Sequence, residues 1–92
     1  MLFMVIERFK NRDAGPAYQR FRERGRMLPA GLNYLNSWVE PNYDRCFQLM
    51  SCDSPELFQE WISHWDDLVH FEIIPVLSSQ EASERVDKLN RK

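Results

Sequence analysis

Two segments of the chain are apolar at both alternating positions of an extended backbone, and they restrict the fold more than anything else in the sequence. In Leu2 to Phe9, the residues Leu2, Met4 and Ile6 alternate with Phe3 and Val5; in Arg45 to Ser51, Phe47 and Leu49 alternate with Cys46, Gln48 and Met50. A strand that is apolar on both sides must be covered on both sides, which places these two in the middle of a sheet. Two further extended segments read as edges. Leu32 to Glu40 alternates Leu32, Tyr34, Asn36 and Trp38 against Asn33, Leu35, Ser37 and Val39, a half-polar pattern, and Val69 to Leu77 contains Pro75, which cannot donate to a ladder. Pro41-Asn42-Tyr43-Asp44 is the turn that makes a hairpin of the second and third strands.

Between the strands the period changes to that of a helix. Asp53 to Leu68 predicts a helix with Ser54 as N-cap, Pro55 at the first position and Glu56 at the positive end of the dipole. Leu57, Phe58, Trp61, Trp65 and Leu68 share one face of it, and Gln59, Ser63 and Asp66 point away. Earlier, Asn11 to Gly15 carries turn residues and Pro16 opens a helix with Ala17, Tyr18, Phe21, Gly25 and Leu28 on one face. Arg20, Arg22, Arg24 and Arg26 border that face, and Pro29 with Gly31 ends the segment. Gly25 is expected to remove side-chain volume between this helix and the sheet. A last helix over about 79–90 follows the capping box of Ser78 with Glu81, bears the narrow stripe Ala82, Val86 and Leu89, and has i,i+4 pairs Glu81 with Arg85 and Glu84 with Lys88. Lys88, Arg91 and Lys92 complement its C-terminus.

The resulting order, β-α-β-β-α-β-α, is an α+β, ferredoxin-like antiparallel sheet with a short C-terminal helix. It fits one domain over residues 1–92, with a core at 2–77. Right-handed crossovers put both long helices on one side of the sheet, yet the other side is apolar too. A face of that kind is too large to leave in water, and a second copy of the chain is its simplest cover.

Composition narrows the function classes. With 43% hydrophobic and 28% charged residues, the chain is neither disordered nor built to span a membrane. The apolar start has no basic region before it and no small-residue cleavage site after it, which points to a strand, a soluble chain and the cytoplasm. Cys46 and Cys52 are some 20 Å apart at about 3.3 Å per residue, so they are expected as free thiols of a reducing compartment. A net charge of −2 argues against a general binder of polyanions. The same topology occurs in RNA-binding sheets, but Arg45 to Ser51 lacks the Lys/Arg-Gly-aromatic pattern and its stacking rings, so no nucleic acid is expected.

The runs Leu-Phe-Met-Val-Ile-Glu-Arg-Phe, Phe-Arg-Glu-Arg-Gly-Arg-Met-Leu-Pro-Ala-Gly-Leu, Arg-Cys-Phe-Gln-Leu-Met and Glu-Trp-Ile-Ser-His-Trp-Asp-Asp-Leu-Val-His-Phe-Glu-Ile-Ile-Pro-Val resemble a group of small bacterial proteins, the domain of unknown function 3303 family. The resemblance covers nearly the whole chain. It implies a dimeric α/β-barrel, in which two ferredoxin-like sheets face each other with the helices outside. The wider superfamily includes cofactor-free monooxygenases, a muconolactone isomerase and haem-degrading enzymes, so the fold does not choose a reaction. Haem-degrading relatives place a His on the second helix and an Asn on the first strand; here Glu7 stands in that part of the strand, which argues against haem, and no cofactor is expected.

Against that background the candidate ligand-binding residues are Tyr34, Trp61, His64 and Trp65, set in a pocket between the second helix and the sheet. His64 borders the apolar stripe beside both indoles and is the one candidate for catalysis. The bland reading makes the indoles core and the His a helix-edge residue. Trp38, Gln48 and Glu72 are alternate-strand residues that would meet at a cavity or at an interface. The basic series Lys10, Arg12, Arg20, Arg22, Arg24 and Arg26 reads as a solvated border with the option of receiving an anion. His64 and His70 have no third ligand at metal spacing, so no metal is expected, and no phosphate loop or Ser-His-Asp or Cys-His signature is present. The expected function is binding of a small, partly apolar organic molecule, with monooxygenase-like or isomerase-like chemistry free of a cofactor. A non-enzymatic interaction or ligand-sensing module is the alternative.

Overall fold

In the structure, a computed structural model that describes residues 1–91, the strands β1 (Leu2–Phe9), β2 (Asn33–Val39), β3 (Arg45–Ser51) and β4 (Val69–Val76) form one antiparallel sheet in the order β2-β3-β1-β4. The helices are α1 (Gly15–Arg24), α2 (Leu57–Ser63) and α3 (Ser79–Asn90). The chain thus has the α+β, ferredoxin-like order β-α-β-β-α-β-α, with the doubly apolar strands β1 and β3 in the middle and the polar and proline-bearing strands at the edges. Lys92, expected beyond the end of α3, lies outside the described residues.

Both α1 and α2 pack on one face of the sheet. Phe3, Val5 and Phe9 of β1 and Cys46 and Met50 of β3 meet Ala17 of α1 and Phe58 and Trp61 of α2 in a single core. The aromatic rings interlock edge to face: Phe3 on Phe58 at 5.1 Å, Phe58 on Trp61 at 6.3 Å and Trp61 on Phe71 at 5.3 Å between centroids. Edge-to-face pairs add to the burial itself, and Trp61, 1% exposed, is at the centre of the chain of contacts. The opposite face carries Leu2, Met4, Ile6, Phe47, Leu49 and Ile74, which the register sets side by side and which are only half-buried by one another. The molecule is accordingly flat, 17 Å in its thinnest direction.

Several local details depart from the expectations. α2 starts at Leu57, not at Pro55, because the preceding turn is closed by bonds of the tighter i,i+3 kind, Leu57 N to Ser54 O and Phe58 N to Pro55 O at 3.0 Å each, and Ser54 makes no side-chain cap. Trp65 and Leu68 therefore belong to the turns after α2, where Trp65 is still buried. Gly25 is not packed against the sheet: a Cβ there would meet nothing within 4 Å. It is the residue after α1, at φ 67° and ψ −157°, a conformation essentially confined to glycine, and so it is needed to turn the chain out of the helix. In β2 a bulge at Leu35 breaks the expected alternation. Tyr34 pairs with Met50, Asn36 with Leu49 and Ser37 with Gln48, so Tyr34 and Ser37 both face the helices while Asn36 and Trp38 face the other way.

α3 begins as the capping box predicts, with Ser78 Oγ accepting from the Glu81 N–H at 3.1 Å, and it has the Glu81–Arg85 pair at 3.1 Å. Glu84 accepts instead from Gln80 Nε2 at 3.4 Å. α3 has no buried residue, and its stripe residues Val86 and Leu89 are exposed. Among the described residues no helix is long and apolar enough to cross a membrane.

Candidate functional site

The same pleat that buries Phe3, Val5 and Phe9 also buries Glu7, because all four share one parity of β1. A carboxyl in that row is forced into the core, and it finds its partners on the adjacent strand. Gln48 Nε2 donates to Glu7 Oε1 at 2.7 Å, and Cys46 stands directly opposite Glu7 in the register. Burial pushes the Glu7 carboxyl up to about 7, against the opposing effects of Cys46, Gln48 and the Arg26 charge. The Cys46 thiol is pushed up to about 12, first by burial and then by the Glu7 charge beside it, so it remains a thiol and is no nucleophile at neutral pH.

These polar groups open onto a cavity of about 150 Å³ between α1 and the sheet. Ala17, Tyr18 and Phe21 roof it from α1, and Trp61, Trp65 and Val69 wall it on the side of α2 and β4. Glu7 and Phe9 of β1 with Cys46 and Gln48 of β3 form the floor, and Ser37 and Val39 of β2 complete the lining with Arg26. Phe21 and Val39, both partly exposed, make the rim.

Arg26 reaches the cavity from the loop after α1, and the two tryptophans hold that loop down. Trp61 Nε1 and Trp65 Nε1 both donate to the Arg26 carbonyl, each at 3.0 Å. The guanidinium lies 3.5 Å from the centroid of the Tyr34 ring and 5.0 Å from that of Phe21, and Nε points to Gln48 Oε1 at 3.5 Å. Gln48 is thereby oriented with its amide nitrogen toward Glu7 and its oxygen toward Arg26. The arrangement is aromatic walls around a carboxyl whose pKa burial raises to about 7, with a guanidinium at one side.

Of the residues the sequence singles out, Trp61 and Trp65 line this cavity, and Tyr34 stands behind it under the Arg26 guanidinium. His64 does not join them. It is exposed on the outer side of the turn after α2, where its carbonyl accepts from Arg20 Nη1 at 2.8 Å, and it borders an outer groove of about 400 Å³ with Pro16, Arg20, Arg24, Met27 and Leu68. That groove has no Trp, Tyr or Phe in its wall and no buried polar group. His64 keeps a helical backbone, φ −81° and ψ −12°, at the end of α2 and lies on the exposed side of it, off the indole face. Trp38 and Glu72 face the open side of the sheet, while Gln48 faces the cavity.

The basic series also divides. Arg20 is spent on Asp67, with Nη1 and Nη2 each 2.7 Å from one carboxylate oxygen, whereas Arg26 turns inward. Glu7, noted in the sequence only as standing where haem-degrading relatives have Asn, and Arg26, noted only as one of a basic series with the option of receiving an anion, were not among the candidate site residues. The signal for Glu7 was present, since it is the one charge in the row Phe3, Val5, Glu7, Phe9.

Fold and site together define a small α+β, ferredoxin-like protein with a carboxyl-bearing cavity beneath its first helix. The profile of the family described as Domain of unknown function (DUF3303) matches residues 1–90, and the chain belongs to that family. The comparison with curated proteins finds no match.

Proposed function

We propose that this chain binds a small, partly apolar organic molecule in the cavity under α1 and moves a proton on it through Glu7, in isomerase-like chemistry that needs no cofactor. The observation that carries this reading is a buried carboxyl, poised at about 7, facing an aromatic cavity. Near neutral pH such a group is present in both forms. As carboxylate it takes a proton from a C–H made acidic by a neighbouring carbonyl, and as carboxylic acid it returns that proton to the same or a conjugated carbon. No electrons are gained or lost, so the step balances without an oxidant. Gln48 holds Glu7 in place through a hydrogen bond that either protonation state accepts.

The proposed assembly is a homodimer of the dimeric α/β-barrel kind, with the open sheet faces of two copies against each other. The apolar row Leu2, Met4, Ile6, Phe47, Leu49 supports it, and stable interfaces of this type bury on the order of 2,000 Å². Cytoplasmic location is part of the same proposal, supported by Cys46 and Cys52, both free and buried. A second reading, a non-enzymatic interaction or ligand-sensing module, is favoured by the exposed Val86 and Leu89 on α3.

Proton exchange separates the two. A panel of enolisable single-ring carbonyl compounds in deuterated water, followed by proton NMR, is expected to lose C–H signal in the presence of the protein, with Glu7→Gln slower by about 100-fold. Ligand binding without any exchange would favour the sensing module, and exchange unchanged by Glu7→Gln would remove Glu7 from the step.

A further inference from the structure

We infer that Arg26 receives an acidic group of the bound molecule, which makes the ligand a single-ring carboxylic acid. This rests on the small-molecule reading above and specifies its chemistry. Three arginines are committed to ion pairs, Arg20 to Asp67 at 2.7 Å, Arg45 to Glu40 at 2.6 Å and Arg85 to Glu81 at 3.1 Å, while Arg8, Arg12, Arg22, Arg24 and Arg91, which form none among the described residues, do not line the cavity. Arg26 is different. Among the described residues no carboxylate stands within ion-pair distance of it, and its side chain makes one long hydrogen bond, from Nε to the Gln48 oxygen at 3.5 Å. A guanidinium has five N–H donors, so both of its Nη groups keep their capacity for an oxygen pair.

The guanidinium is nonetheless held in place. Its backbone is anchored by the two indole N–H groups at 3.0 Å, and its plane is 3.5 Å from the Tyr34 centroid. A half-buried arginine that is anchored, stacked on an aromatic ring and lacking an anion is preorganised to bind one, and the planar fork matches a carboxylate in bidentate geometry. The nearest acid, Glu7, is bonded to Gln48 rather than to Arg26, and its raised pKa leaves the positive charge of Arg26 largely unbalanced below neutral pH. The volume has room for a single ring beside the ligand's acidic group. A cavity of about 150 Å³ is the volume that accommodates a benzene ring, and here the ring would lie against Trp61 and Trp65.

The test titrates the full chain at about pH 6 with benzoate and with benzamide, its neutral isostere, followed by indole fluorescence. Wild type is expected to bind benzoate about tenfold more tightly than benzamide, and Arg26→Gln to abolish the preference. Equal affinity of wild type for the two compounds overturns the assignment and leaves the cavity reading intact; binding of neither overturns both. A benzoate preference that survives in Arg26→Gln also overturns the role of Arg26. Arg26→Lys retains the charge without the fork, and serves should Arg26→Gln fail to fold. Its preference is expected to fall part of the way, and an undiminished one counts against the inference.

Discussion

Gln48 donates to Glu7 across the two central strands at 2.7 Å while its own amide oxygen faces Arg26, so one neutral side chain stands between the carboxyl and the guanidinium of the site. A direct Glu7–Arg26 pair would hold the carboxyl ionised. With Gln48 interposed, burial prevails and the carboxyl stays near its protonation midpoint at about neutral pH.

Stability should therefore depend on pH through Glu7. Its folded pKa of about 7 lies above the ordinary 4.5, so the native state binds more protons than the unfolded state between those values. Stability falls as pH rises through that window and levels off above it, by about 3 kcal/mol in all. Glu7→Gln is expected to remove this slope and to be the more stable protein at pH 8, as read by urea denaturation at a series of pH values. An identical slope in both proteins would contradict the burial argument.

Trp61→Ala should cost about 3 to 5 kcal/mol, the range for deleting a large aromatic from a packed core, because Trp61 contacts Phe58 and Phe71 and is 1% exposed. Ser63→Ala, one turn end away but exposed, should stay within about 0.5 kcal/mol. Chemical denaturation of the two variants measures the contrast.

Gly25→Ala tests backbone strain in isolation, since space is not limiting there. The positive φ with extended ψ predicts a loss of about 1 to 3 kcal/mol and a lower melting temperature. A variant as stable as wild type would mean that the turn after α1 relaxes at no cost.

Sedimentation velocity at micromolar concentration should report a dimer, and Ile6→Glu should convert it to monomer. Ile6 sits between Phe47 and Glu72 in the register, in the middle of the open face, so a carboxylate there would be buried by any partner sheet. A wild-type monomer that shows no association would remove the proposed barrel.

His64→Ala should leave ligand affinity and any turnover unchanged. Its side chain is exposed and borders the outer groove, away from the cavity. The same fluorescence titration applied to both proteins checks it, and a tenfold loss of affinity would bring His64 back into the site.

The strands were the legible part of this chain. β1 and β3 end where their patterns end, because a two-sided apolar run has only one place in a sheet, although such a run does not say which of its faces meets the helices. Turns and helix ends were less so. The bulge at Leu35 turns on a single extra residue, and it alone decides whether Tyr34 faces the helices or the open side. The end of α2 at Ser63 is likewise invisible to a helical wheel that keeps its period to Leu68, and the wheel's border position for His64 leaves open the exposed place it takes. For the site, the pattern identified the aromatic walls but not the groups they surround. Glu7 was visible as a charge in an apolar row, whereas Arg26 was one basic residue among several until the glycine turn and the indole bonds directed it inward.

Those indole bonds end on the peptide group of residue 26 and not on its side chain. The scaffold therefore recognises position 26 by what every amino acid has in common, and leaves the variable part to the cavity. On the proposed reading of the site, replacing that arginine would change what the cavity selects without cutting the tether that shapes it.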